Sequence, residues 1–177
     1  YETFSQKPLS GWELSKLGCE VAARASANMV FSSVQGGMMG ALGIGLPDVP
    51  IFLAAVFKTL FEISLSFGYP YDTKQERTYQ MLLICAAVGE EAERKQAAVD
   101  ANIVAQQIRM GAGICSVSFE EAKQRASKAL CGAALMGKMV QGAPIIGVYG
   151  GFRNGVLLKQ IGTVAAVKYQ QRMLRER

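Results

Sequence analysis

Apolar residues recur at helical spacing along most of this chain, and three of the recurring stretches open on one shared signal. Ser10-Gly11-Trp12-Glu13, Thr73-Lys74-Gln75-Glu76 and Ser118-Phe119-Glu120-Glu121 each set a hydroxyl three residues ahead of a carboxylate. In such a capping box the hydroxyl accepts from an exposed N–H of the first turn, and the carboxylate reaches back to the N–H of the cap. Asp48 with Pro50 marks a further start, because Asp caps a helix and Pro suits its first turn. Gly68 and Gly111 stand where two of the patterns end. Together these signals predict helices over 11–34, 49–67, 74–88, 90–110, 119–141 and 145–174. Pro47 and Pro50 make 46–50 the clearest break, since each disfavours helix before it. A short strand at 113–117 is the only β element the pattern offers. No stretch reads as a linker, so 1–177 is expected to form a single all-α domain, a compact bundle of about six helices.

Three segments are apolar enough to be weighed as membrane spans. Residues 25–47 carry no charge and reach the length of about 20 residues that a span needs. Ser26, Asn28, Ser32, Ser33 and Gln35 interrupt them, however. Residues 49–67 contain Lys58 and Glu62, and 139–158 contain Arg153. A charge at bilayer depth is costly, so each segment reads better as a buried helix. Lys58 and Glu62 lie four apart on one helix face and are expected to form a buried pair. Residues 25–67 also read as an apolar hairpin turning at Pro47-Asp48-Val49-Pro50, either packed as an ordinary helix pair or opening onto a bilayer.

Small residues recur every four positions at Ser32, Gly36 and Gly40, and again at Gly147, Gly151 and Gly155. On a helix such spacing makes a flat ridge on which another backbone can sit closely. Glycine inside a helix costs about 1 kcal/mol against Ala, so two ridges imply a packing role.

Charge and chemistry narrow the functions. The chain has no His and a net charge of +5, with charged residues at 19%. Serine–histidine and cysteine–histidine nucleophilic sites are therefore excluded, as are imidazole metal ligands. Cys19, Cys85, Cys115 and Cys131 form no C-x-x-C pair, and most sit among small or apolar neighbours, as expected of core thiols in a reducing compartment. No zinc, haem or other cofactor is expected. Carboxylate chemistry stays open through Asp48, Glu62, Asp72 and Glu76, although Asp48 is most simply a helix cap. The basic excess favours an anionic membrane surface and falls short of the basic tract that nucleic acid requires. Arg153 with Asn154, and Lys168 with Arg172 near the basic C-terminal helix end, are the candidates for touching a headgroup or a partner.

The run from Gly36 through Gly40 to Pro47 and Asp48, closed by Gly68-Tyr69, resembles the EcsC family. So does the stretch from Pro144 through Gly147 and Gly151 to Asn154. The resemblance covers most of the chain. The family takes its name from a protein encoded beside the two components of an ABC-type transporter, and the resemblance supplies no catalytic residue to carry over. Together with the basic excess and the apolar segments it leads to the expectation of a non-catalytic protein of the cytoplasmic membrane face, accessory to such a transporter. A carboxylate-dependent hydrolase and a soluble bundle holding an apolar ligand are the alternatives.

If Gly151 lies on a close helix contact, Gly151→Leu should lower stability by about 1–3 kcal/mol through overpacking. Gly151→Ala should change it little, the added methyl being offset by helix propensity. Thermal melts of both variants separate this from a glycine at positive φ, for which both substitutions lose stability alike.

Overall fold

The structure is a computed structural model that describes residues 48–139 and 146–176, with side-chain surroundings over 50–133 and 154–176. It is all-helical over these residues. Five helices follow one another: α1 (Asp48–Ser66), α2 (Lys74–Val88), α3 (Glu91–Arg109), α4 (Phe119–Met139) and α5 (Ile146–Glu176). Their bounds fall within about two residues of those expected, the ordinary uncertainty of helix ends. The helix expected over 11–34 lies outside the described residues, as does the small-residue ridge at Ser32, Gly36 and Gly40.

The bundle is built around α2, which packs against α3, α4 and α5, while α1 lies along α5. Every residue from Thr78 to Val88 is buried. This follows from the sequence, because Met81 to Val88 has no polar side to turn toward water, and a helix apolar all round must be covered all round. The covering helices use narrower stripes. α1 buries Phe52, Val56, Leu60, Ile63 and Phe67, and α5 buries Leu158, Ile161, Ala165 and Tyr169. α3 and α4 meet the centre through alanines, Ala97 and Ala101 on one and Ala122, Ala126 and Ala129 on the other. Such short side chains let the backbones approach. Each fully buried Leu or Ile contributes roughly 1.5–3 kcal/mol by leaving water.

Both described capping boxes use their hydroxyls. The Thr73 Oγ1 accepts from the Glu76 N–H at 3.2 Å, and the Ser118 Oγ accepts from the Glu121 N–H at 3.2 Å. The two expected glycine stops close α1 and α3 in the same way. Gly68 has φ 80° and Gly111 φ 69°. The Tyr69 N–H reaches the Ser64 carbonyl at 3.0 Å, and the Ala112 N–H reaches that of Gln107 at 2.9 Å. These are Schellman closures, in which a left-handed residue lets the chain reverse onto the last carbonyls.

The strand expected at 113–117 does not form; the segment is a series of bends. No described strand lies beside it to complete a ladder. Its backbone is held instead by side chains: the Ser116 N–H donates to Gln107 Oε1 at 2.9 Å, and Gln75 Nε2 donates to the Gly113 carbonyl at 3.4 Å.

Gly68→Ala should cost about 1 kcal/mol in denaturant unfolding, since nothing lies near the added methyl and only the left-handed backbone resists it. Gly132, inside α4 and equally uncrowded, should respond oppositely, with Gly132→Ala gaining up to about 1 kcal/mol. Equal signs for the two would contradict this assignment of their roles.

Candidate functional site

Glu76 occupies the third position of α2, where a capping box would turn it back to Thr73. It turns inward instead and is fully buried. The Tyr169 hydroxyl donates to its Oε1 at 2.6 Å. Arg172 Nη1 donates to Oε1 at 3.0 Å and to Oε2 at 2.8 Å. Arg172 also uses Nε, donating to Glu176 Oε1 at 3.1 Å, and the Tyr69 hydroxyl donates to Glu176 Oε2 at 2.6 Å. The chain of bonds thus joins α2, α5 and the residue just past the end of α1. Tyr169, Arg172 and Glu176 are three and four apart, which puts them on one face of α5.

Aromatic rings enclose this network. The Arg172 guanidinium lies 4.0 Å from the centre of the Tyr69 ring and 5.3 Å from that of Tyr79, within the range of cation–π attraction. Tyr169 stacks on Phe67 at 6.3 Å and meets Tyr79 edge-on at 5.2 Å. Burial pushes the Glu76 carboxyl up, while the Arg172 charge and the Tyr169 hydroxyl pull against that rise. Burial opposes the Arg172 charge too, but the Glu76 carboxylate outweighs it and holds the guanidinium more firmly protonated than usual. Gln80 donates to the Tyr169 hydroxyl at 3.4 Å, and its Oε1 is buried without a partner.

Above the network lies a cleft of about 350 Å³ between α3 and α5. Val99, Asn102, Ile103 and Gln106 line it from α3, Lys168, Gln171 and Arg175 line it from α5, and Tyr79 and Arg172 close its inner end. The two helices are tied across it by polar bonds. Lys168 Nζ donates to the Ala98 carbonyl at 3.2 Å and to Asn102 Oδ1 at 3.0 Å, and Arg109 Nη1 donates to the Arg175 carbonyl at 2.9 Å. Among the described residues, Arg109, Lys168 and Arg175 make no ion pair. Burial lowers the Lys168 pKa, and the neighbouring Arg175 charge lowers it further. The opposite face of α3 differs. There Arg125 of α4 meets Glu93 and Asp100 at 2.8 Å each and Glu121 at 3.7 Å.

The residues singled out in the sequence fall unevenly. Arg172 was expected to face a headgroup, yet it is only 6% exposed and committed to Glu76 and Glu176; its edge alone reaches the cleft. Lys168 is half-buried in the cleft wall. Lys58 and Glu62 do approach, at 3.9 Å, but their side chains are 62% and 35% exposed, so the pair is a surface one. The buried stripe of α1 runs on the other side of the helix. Asp48 opens α1, and its side chain lies outside the described residues. Gly147, Gly151 and Arg153 lie within α5, their surroundings likewise outside, while Asn154 is half-buried and Gly155 buried. Gly36, Gly40, Pro47 and Pro144 are outside altogether. Burial pushes the Cys85 thiol up to about 12, so it is no thiolate at neutral pH. Cys131 is exposed. No group of potential metal ligands gathers among the described residues.

The sequence model of the EcsC protein family matches residues 2–174. The chain belongs to that family. No curated protein and no solved structure matches it. Two of the residues that carried the resemblance have a physical role here. Gly68 supplies the left-handed turn, and the turn delivers Tyr69 onto Arg172 and Glu176. Sequence reasoning passed over Glu76 and Tyr169 as partners. The available signal was a carboxylate about one turn ahead of the apolar run Met81 to Val88, a position that needs a counter-charge once that helix is buried all round.

Glu76→Ala and Arg172→Ala should each lower unfolding free energy by about 3–5 kcal/mol, because each strands the other's buried charge. The double variant should lose clearly less than the two losses added. Additive losses in denaturant titrations would show that the pair is not coupled.

Proposed function

We propose that this EcsC-family chain is a non-catalytic protein of the cytoplasmic membrane face, accessory to a membrane protein such as an ABC-type transporter. The observation that carries the reading is a solvent-facing stripe on α3. Val99, Ile103 and Met110 are 52%, 42% and 64% exposed, and their spacing aligns them on one side of the helix. The stripe runs beside Arg109, Lys168 and Arg175 of the cleft, which make no ion pair among the described residues. Ile114, in the following loop, is 89% exposed. Apolar side chains next to unneutralised cations match the boundary of an anionic bilayer, where headgroups meet the charges and acyl chains meet the stripe. The net charge of +5 acts in the same direction over longer range. No helix among the described residues is long and apolar enough to cross a membrane; the association proposed is a peripheral one, through the stripe and the cations.

The test is sedimentation of the full chain with vesicles of phosphatidylglycerol and phosphatidylcholine. The protein should pellet with them at low salt and be released in large part as ionic strength rises past about 0.15 M, where screening shortens to about 8 Å. Ile103→Ser with Met110→Ser should deplete the fraction that salt leaves bound. A protein that stays wholly in the supernatant at low salt overturns the proposal.

A further inference from the structure

The cleft between α3 and α5 has more structure than a charged surface. Three cations face one small volume. Lys168 is held in place by the Ala98 carbonyl and Asn102. Arg109 is anchored on the last turn of α5 through the Arg175 carbonyl, and Arg175 lines the same space. Like charges gathered in one small volume repel one another, and an anion seated among them reduces that repulsion while gaining charge-assisted hydrogen bonds. Among the described lining residues only Glu176 is acidic, and its oxygens accept from Arg172 and Tyr69. Arg172 also faces Glu76, so the two carboxylates offset Arg172 and one of the three cleft cations and leave the others in excess. Asn102, Gln106 and Gln171 add neutral donors, and the mouth carries Val99 and Ile103, both exposed.

The geometry points to a binding site in this cleft for one phosphate headgroup of an anionic lipid, its phosphate held by Lys168, Arg109 and Arg175 and the start of its acyl chain laid on Val99 and Ile103. Size agrees, since 350 Å³ is enough for a headgroup. Lipid is favoured over free phosphate because the cations and the apolar mouth adjoin. Burial and the Arg175 charge already disfavour the Lys168 ammonium, so a bound phosphate should raise its proton affinity. The inference deepens the membrane-face reading and rests on it for the source of the lipid.

Calorimetric titration of the full chain with dihexanoyl phosphatidic acid, kept below its micelle concentration, tests the site without a bilayer. Saturable one-to-one binding is expected. Lys168→Met and Arg175→Gln should each weaken it about tenfold, the effect of losing one charge-assisted contact. Lys168 also braces α3 against α5, so its variant is to be judged beside its melting curve. Arg175 gives the fold only its backbone carbonyl, and Arg175→Gln decides the matter if Lys168→Met unfolds. Inorganic phosphate should bind about tenfold more weakly than the lipid, lacking the apolar contact. No saturable binding, or unchanged affinity in Arg175→Gln, overturns the site. Phosphate binding as tightly as the lipid overturns the lipid assignment. These results stand apart from sedimentation: short-chain lipid binding without vesicle binding refutes the membrane role alone, and vesicle binding indifferent to both variants refutes the site alone.

Discussion

A buried carboxylate on the central helix requires a cation, and the placement of α5 answers that requirement. Glu76 is withdrawn entirely from water, and Arg172 meets both its oxygens. Removing two charges from water costs several kcal/mol each, which their attraction recovers only with close geometry and further hydrogen bonds. Tyr169 and Glu176 supply those bonds from the same face of α5, and Tyr69 completes them from beyond α1. The pair therefore fixes register more than it adds stability. A slide of α5 by one turn along α2 would leave both charges buried alone, whereas the apolar contacts around them would tolerate it better.

The same helix carries the cleft. Tyr169 and Arg172 point into the bundle, while Lys168 and Arg175 bound the space between α5 and α3. Fixing the first pair fixes the second, so the cationic cleft has a rigid inner wall despite lying at the surface. α3 completes it from the other side. Its alanines hold it close to α2, and its opposite edge presents Val99, Ile103 and Met110 to solvent. Among the described residues, Val156, Val167 and Leu174 of α5 are exposed as well; the α3 stripe differs from them in adjoining the cationic cleft.

Much of the fold was legible in the sequence because helix starts and stops are decided locally. The Thr73 and Ser118 hydroxyls cap as their spacing foretold, and Gly68 and Gly111 take the positive φ their positions require. The site was less legible because its bonds span the chain. Glu76 satisfies the local rule for a capping carboxylate but is claimed by Tyr169 and Arg172, about a hundred residues away. Arg172 looked like one more cation at a helix end, and the packing of α5 on α2 shows that it faces inward, toward Glu76. Lys58 and Glu62 misled in the opposite sense. Their helix is apolar, yet its buried stripe is formed by Val56, Leu60 and Ile63, and the charged pair lies on the far side. Periodicity in α1 contained that answer. It did so in α5 too, where Arg172 continues the stripe of Leu158, Ile161, Ala165 and Tyr169, although nothing local names Glu76 as its partner.

The central claim is that the ion pair locks α5 onto α2, and native-state hydrogen exchange tests it most directly. If it is right, the amides of 158–169 in α5 exchange only through global unfolding, with the same free energy as those of 80–88 in α2. In Arg172→Met the α5 amides should then open separately and well before those of α2. Local exchange of α5 in the unaltered protein, or unchanged protection in Arg172→Met, would contradict the claim.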